Sequence, residues 1–276
     1  MICIQLKGGL GNQLFQFAAA SAVANYHKTT VIIDLSFLQK RENDSGYTFR
    51  NYELNGFEHI RIRPQTIIEK MFRKATPTKY YHEKTLMFNP LIFEQTSKSS
   101  YLTGYFQSEK YFESIKPLLK NTLVIKLPDA DYTFEKIVKT NSVSLHIRRG
   151  DYISNPENLK FHGLCPMIYY HQAIKYIAER ISNFHVFVFS DDLSWAKQHL
   201  ALSYPVNFIE NKSSIADMQL MSLCKHNITA NSSYSWWAAW LNNNPDKIVI
   251  APKKWFADAL VESQSDTIVP EEWIRF

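Results

Sequence analysis

Val143-Ser144-Leu145-His146-Ile147-Arg148-Arg149-Gly150-Asp151-Tyr152 sets an apolar run directly against two guanidiniums. The run reads as a buried β-strand, and the arginines fall where that strand should emerge. In open α/β sheets ligands sit at the carboxyl ends of the strands, and an arginine is a permanently charged fork suited to bidentate contact with phosphate. The stretch therefore predicts both a parallel sheet and a pyrophosphate site at its edge.

The sequence downstream repeats the same unit. Tyr170, Ala173, Ile174, Ile177, Ala178 and Ile181 recur at helical spacing. His185–Phe189 is the next strand, ending at Ser190-Asp191-Asp192, and a helix follows over Ser194–Leu200. Strands over Val206–Ile209, Asn227–Ala230 and Ile248–Ala251 alternate with helices over Ile215–Leu223 and Ser233–Leu241. Such βα alternation implies a doubly wound parallel sheet with both faces covered. The chain also opens this way, with a strand over Ile2–Leu6, a glycine loop, a helix over Gln13–Tyr26 and a strand over Thr30–Asp34. Residues 39–135 are irregular, with helices expected near Pro64–Lys74 and Ser108–Lys120. A boundary near Thr140 divides the chain into domains 1–140 and 141–276.

The 276 residues, 45% of them hydrophobic, can bury two ordinary cores. Cys3, Cys165 and Cys224 are too few and too scattered for a disulfide framework or a zinc site and fit a reducing compartment. With no basic leader and no apolar run near the roughly 18 residues of a membrane span, a cytoplasmic protein is expected. The net charge of +5 is concentrated in Arg61–Lys84, where seven Lys or Arg face only Glu69 and Glu83. That argues against a nucleic-acid surface. It leaves a solvated helix, or peripheral contact with the inner face of the cytoplasmic membrane through residues 61–84.

Two further segments carry chemistry. Gly8-Gly9-Leu10-Gly11-Asn12-Gln13-Leu14-Phe15-Gln16 joins a strand to a helix but lacks the G-x-G-x-x-G spacing of a dinucleotide site. Asn231-Ser232-Ser233-Tyr234-Ser235-Trp236-Trp237-Ala238-Ala239-Trp240-Leu241 opens a helix with hydroxyls and free backbone N–H groups, fit to cap the helix or hold phosphate. Its tryptophans read as packing residues.

Together with HIRRGDY, Phe189-Ser190-Asp191-Asp192 and Asp217-Met218-Gln219-Leu220-Met221, these segments resemble the α-1,2-fucosyltransferases of glycosyltransferase family 11, especially the bacterial enzymes of surface-glycan synthesis. The resemblance runs from residue 4 to about residue 256. It implies a GT-B fold, two Rossmann-like α/β domains facing across a cleft, with the acceptor side N-terminal and the GDP-sugar side C-terminal. It also implies inverting, metal-independent transfer of L-fucose from GDP-β-L-fucose to a galactose 2-hydroxyl, with no separate cofactor. The acceptor would be a galactose-terminated glycan of O-antigen or capsule type, lipid-linked in some systems. Transfer in another linkage, such as α-1,6, or a non-catalytic glycan- or nucleotide-binding module are the competing readings.

Successive strand residues point to opposite sides, so Arg148 and Arg149 should diverge, one to the cleft and one to a structural carboxylate. The family motif favours Arg148 for the diphosphate, with His146 on its side of the strand and Asn231, Ser232 and Ser233 opposite. Asp217 either reads the N1–H and N2 amine of guanine or complements its helix dipole. Asp191 and Asp192 contact the nucleotide or cap a helix; with a metal-independent family, no metal is expected there. Gly9, Gly11, Asn12 and Gln13 face the cleft and are available to donor or acceptor. Asp151 is the candidate general base, with pairing to Arg149 or capping of a turn as its other roles.

Overall fold

The computed structural model describes residues 1–39, 50–69, 71, 78–125, 132–210 and 213–276. The chain forms two α/β units: residues 1–124 with 264–270, and residues 125–263 with 271–276.

The first unit is built on a four-stranded parallel sheet in the order β2-β1-β4-β3, formed by β1 (Ile2–Gln5), β2 (Val31–Asp34), β3 (Lys79–His82) and β4 (Ser100–Thr103). Helix α1 (Leu10–Tyr26) connects β1 to β2 and is buried on nearly every side, with Leu14, Phe15, Ala18, Ala19 and Ala20 all fully covered. Its glycine entry is a steric requirement. Gly8 has φ +76°, and a Cβ there would lie 2.4 Å from the Asn12 amide nitrogen. Among the described residues that follow are the short helices α2 (Ile92–Gln95) and α3 (Lys116–Thr122). The helix expected over Ser108–Lys120 is broken: 3₁₀ turns occupy Glu109–Tyr111 and Glu113–Ile115, and Pro117, in the first turn of α3, starts a new helix there because it cannot donate to a preceding one. The helix expected near Pro64–Lys74 is present at residues 67–69 and 71, and residues 70 and 72–74 lie outside the described residues.

The second unit carries α4 (Tyr132–Lys139), β5 (Asn141–Ile147), α5 (Gly150–Ser154), α6 (Pro156–His162), α7 (Met167–Ala178), β6 (Phe184–Ser190), α8 (Leu193–His199), β7 (Val206–Phe208), α9 (Ser214–Leu223), β8 (His226–Ile228), α10 (Ser233–Leu241), β9 (Val249–Ala251), α11 (Ala259–Glu262) and β10 (Ile274–Arg275). Its six strands are parallel, in the order β10-β9-β8-β5-β6-β7. Counted from β5 as strand one, this is the doubly wound order 3-2-1-4-5-6, with its switch point between β5 and β8. The boundary falls at Val124–Ile125, ahead of the expected Thr140, because α4 packs on β5 and α9, burying Ile137 completely.

The α7 stripe expected from periodicity is buried as Tyr170, Ala173, Ile174 and Ile177. Trp236, Trp237 and Trp240 are buried packing residues. Beneath the switch point, Asn227 donates to Ser144 Oγ at 2.7 Å and to the Met221 carbonyl at 2.8 Å, and accepts from the Asn242 amide at 2.7 Å. Such satisfied polar groups in a sheet centre lock the β5–β8 register.

Candidate active site

The carboxyl ends of β5, β6 and β8 bring together residues that are far apart in sequence. Arg148 leaves β5 half-buried, with its guanidinium paired to Asp151 and, at 2.8 Å, to Asp191. Arg149 turns away, placing its guanidinium 3.6 Å from the centroid of the Trp195 ring and its Nε 3.2 Å from Asp192. Asp192 also caps α8, accepting the Trp195 N–H at 3.2 Å. The two arginines thus diverge as the strand alternation requires. Arg149 is fixed into local structure, while Arg148 sits at the switch point between carboxylates that a stronger anion can displace. Asp151 pairs with Arg148, not Arg149.

Asp191 orders this edge. Its Oδ1 accepts the Arg149 N–H at 2.8 Å while its Oδ2 holds Arg148. Gly150 makes room for it, since a Cβ at 150 would lie 2.5 Å from Asp191 Oδ2.

His146, two residues before Arg148, is buried with no hydrogen-bond partner on Nδ1, and its ring lies 5.6 Å from Tyr234. Burial pushes its pKa down to about 4; Asp191 pulls the other way and Arg148 adds to the depression. The imidazole is neutral at pH 7. His162, stacked on Tyr152 at 4.5 Å, is likewise pushed down to about 4 by burial.

Across the switch point, Ser232 Oγ caps α10 by accepting the Tyr234 N–H at 3.3 Å, and Ser233 opens the helix half-buried. Asn231 was expected to turn its side chain towards phosphate. Instead it is buried, and its amide donates to the carbonyls of His162, Gly163 and Trp255 while its oxygen accepts from Cys165. Its carbonyl accepts from the Tyr152 hydroxyl at 3.1 Å. It positions the loop that leads from β8 into α10.

Asp217 is buried one turn into α9, whose cap is Ser213 Oγ, accepting the Ala216 N–H at 3.1 Å. The Tyr234 hydroxyl donates to the Ser214 carbonyl at 2.6 Å, tying the amino ends of α9 and α10 together. Capping is therefore the work of Ser213.

In the first unit, Gly9 is the N-cap of α1, and Gly11 is buried inside the helix. Asn12 accepts from the Gln107 amide at 2.7 Å. Gln13, expected to contact donor or acceptor, is fully buried and knits the loop together, donating to the Gly8 and Asn51 carbonyls and accepting the Glu53 N–H. Sequence reasoning missed Glu83, whose carboxylate accepts the N–H groups of Tyr105 at 2.6 Å and Phe106 at 3.0 Å just beyond β4. Burial raises its pKa, with Lys7 opposing. The aromatic pair Tyr80-Tyr81 was its available signal, since aromatic residues favour strands and this one ends just before Glu83.

The profile of glycosyl transferase family 11 matches residues 1–276. The chain belongs to that family. It is 37% identical to the O-antigen biosynthesis glycosyltransferase WbnK of Escherichia coli, over 98% of both chains. It is 36% identical to an alpha-1,2-colitosyltransferase of Escherichia coli, covering 100% of this chain and 98% of that one. A mutant of Arabidopsis thaliana FUT1 in complex with GDP superposes with a TM-score of 0.50 at 10% identity, covering 99% of this chain and 75% of that chain. The two parallel-sheet units are those of a GT-B glycosyltransferase. In this family 11 member the charged cluster of Arg148, Asp151 and Asp191 lies at the carboxyl ends of β5 and β6, in the unit with the doubly wound strand order. No helix among the described residues is long and apolar enough to cross a membrane.

Proposed function

We propose that the chain transfers L-fucose from GDP-β-L-fucose to the 2-hydroxyl of a galactose residue, with inversion and without a metal ion, in the assembly of a bacterial surface glycan. The observation that supports this reading best is Arg148, held at the carboxyl end of β5 by Asp151 and Asp191. The acceptor oxygen attacks the anomeric carbon, the bond to the diphosphate breaks, and GDP leaves with the negative charge, which Arg148 and the α10 N–H groups stabilise as it grows. A diphosphate arriving at Arg148 competes with Asp151 for the guanidinium, and the freed carboxylate takes the acceptor proton. Asp217 reads guanine. The reaction takes place in the cytoplasm, with residues 61–84 resting on the inner face of the membrane when the acceptor is lipid-linked.

A second donor is favoured by the alpha-1,2-colitosyltransferase relative. Colitose is L-fucose without its 3-hydroxyl, so one pocket could accept either sugar. Incubation with GDP-fucose or GDP-colitose and a panel of β-galactosides, with and without chelator, followed by linkage analysis, tests both. An α-1,2-fucosyl product that survives chelation is expected. Exclusive use of GDP-colitose would reassign the donor, an α-1,6 product the linkage, and abolition by chelator with rescue by Mn²⁺ would restore Asp191 and Asp192 as metal ligands.

A further inference from the structure

A cavity of about 460 Å³ opens in the first unit beside the edge strand β3, between its carboxyl end and the Asn89–Gln95 segment. Its size falls within the roughly 300–1,000 Å³ of small-ligand sites. Tyr81 and Tyr111 line it and are 7% and 1% exposed. Asn89 ties their hydroxyls together: its side-chain amide donates to Tyr81 Oη at 3.3 Å and its backbone N–H to Tyr111 Oη at 3.2 Å. Glu83 lines the same cavity, its carboxylate pinned by the two N–H bonds beyond β4. Gly104, at φ +159°, brings that backbone so close that a Cβ there would lie 2.5 Å from the Glu83 Cβ. The polar floor is therefore rigid before any ligand arrives.

The rim differs. Tyr80 is 64% exposed, leaning its ring on Tyr101 at 5.6 Å, and Gln95 is exposed, its backbone N–H donating to the Leu91 carbonyl and its side-chain amide making no hydrogen bond among the described residues. An open aromatic face, an uncommitted planar amide and a fixed carboxylate are the groups that recognise a sugar ring: C–H faces stack on the aromatic, and hydroxyls meet the acceptors and donors. Lys84 lines the cavity beside Glu83, so the two charges offset one another and the site suits a neutral ligand.

We propose that this cavity binds a neutral sugar ring of the acceptor glycan. The assignment to the acceptor rests on the transferase reading above, whereas the binding of a neutral sugar does not. Saturation-transfer NMR on the full chain with lactose and with N-acetyllactosamine, and transfer kinetics with the same disaccharides, test it in the wild type and in Tyr80→Ala/Gln95→Ala. Both substitutions are at exposed positions, and an unchanged donor KM shows that the variant is folded. The expected result is loss of the disaccharide signal and a rise of about tenfold in acceptor KM, the scale of one aromatic contact plus one hydrogen bond. Donor KM and kcat should hold. Fucosyl transfer with acceptor KM unmoved would overturn the cavity and leave the transferase standing. A disaccharide signal lost in the variant, in a chain that transfers no sugar, would do the reverse. No signal and no transfer would overturn both.

Discussion

Arg148 and Asp191 form an ion pair of 2.8 Å across the carboxyl ends of two neighbouring strands. The pair exists because β5 and β6 run in parallel with Ile147 opposite Ser190, so the residues that follow each strand emerge on one edge. Asp191 holds the guanidinium in place when no nucleotide does. Charge that develops on a leaving group is best met by a donor already in position, since no reorganisation is then needed during the reaction.

Loss of that donor should be felt in turnover. Arg148→Ala should lower kcat by roughly two to three orders of magnitude, and Arg148→Lys should fail to restore it because a point charge cannot replace a bidentate fork. Arg149→Ala should instead lower stability, by about 0.5–2 kcal/mol for the lost stacking on Trp195, with turnover little changed. Steady-state kinetics and urea denaturation on both variants separate the roles. Near-normal turnover in Arg148→Ala with collapse in Arg149→Ala would exchange them.

Gly150→Ala should destabilise through a contact the backbone makes unavoidable, since the new methyl would meet Asp191 Oδ2 at 2.5 Å. The cost expected of such overpacking is about 1–3 kcal/mol. In an Asp191→Ala background the clash disappears, so the same substitution should cost far less. A double-mutant cycle by chemical denaturation checks this, and additive effects would mean that the clash is relieved elsewhere.

Much of this edge was legible in the sequence and some of it was not. The βα alternation after Asn141 depends on local periodicity, which sequence displays directly, and so do the divergence of Arg148 from Arg149 and the cap at Ser232. The pairing of Arg148 with Asp191 depends on strand register, which no local pattern records. Asn231 and Gln13 looked like ligand-binding side chains because they are polar and sit in loops. Both prove to be buried and committed to backbone groups, a requirement set by neighbours distant in sequence. Strands β3 (KYYH) and β4 (SYLT) hid because neither has the apolar run of β1 or β2, and the exposed edge strand β3 buries only Tyr81.

His146 makes stability depend on pH. Its pKa is near 6.5 in the unfolded chain and about 4 in the folded one, where burial disfavours the charged form. Below pH 6.5 the unfolded state binds a proton that the folded state refuses, so stability falls with pH down to about 4 and is fully present above 6.5. About 2 kcal/mol should be lost between pH 7 and pH 5 through this residue. Urea midpoints at the two pH values, compared with His146→Gln, should show a shallower dependence in the variant. Parallel curves would assign the titration to other groups.

Asp217→Ala should weaken GDP binding by about 1.5–3 kcal/mol, the range for hydrogen bonds to a charged group, and leave ADP binding little changed. Because Ser213 already caps α9, folding should survive the substitution. Calorimetry with both nucleotides decides it: equal losses, or none, would remove guanine recognition from this residue.

The polypeptide leaves the second unit at Ser263, contributes Gln264–Pro270 to the first, and returns to finish the second with β10. Ile268 and Val269 are buried in that excursion, and Thr267 Oγ1 accepts the Phe88 N–H at 3.0 Å. Domains emerging from a ribosome ordinarily fold in order, amino-terminal first. Here the amino-terminal unit must wait, with Ile268 and Val269 missing from its core, until Pro270 has been synthesised. A nascent chain halted at Ser263 would hold two unfinished units instead of one finished and one incomplete, and a nonsense codon between Gln264 and Val269 would damage both at once.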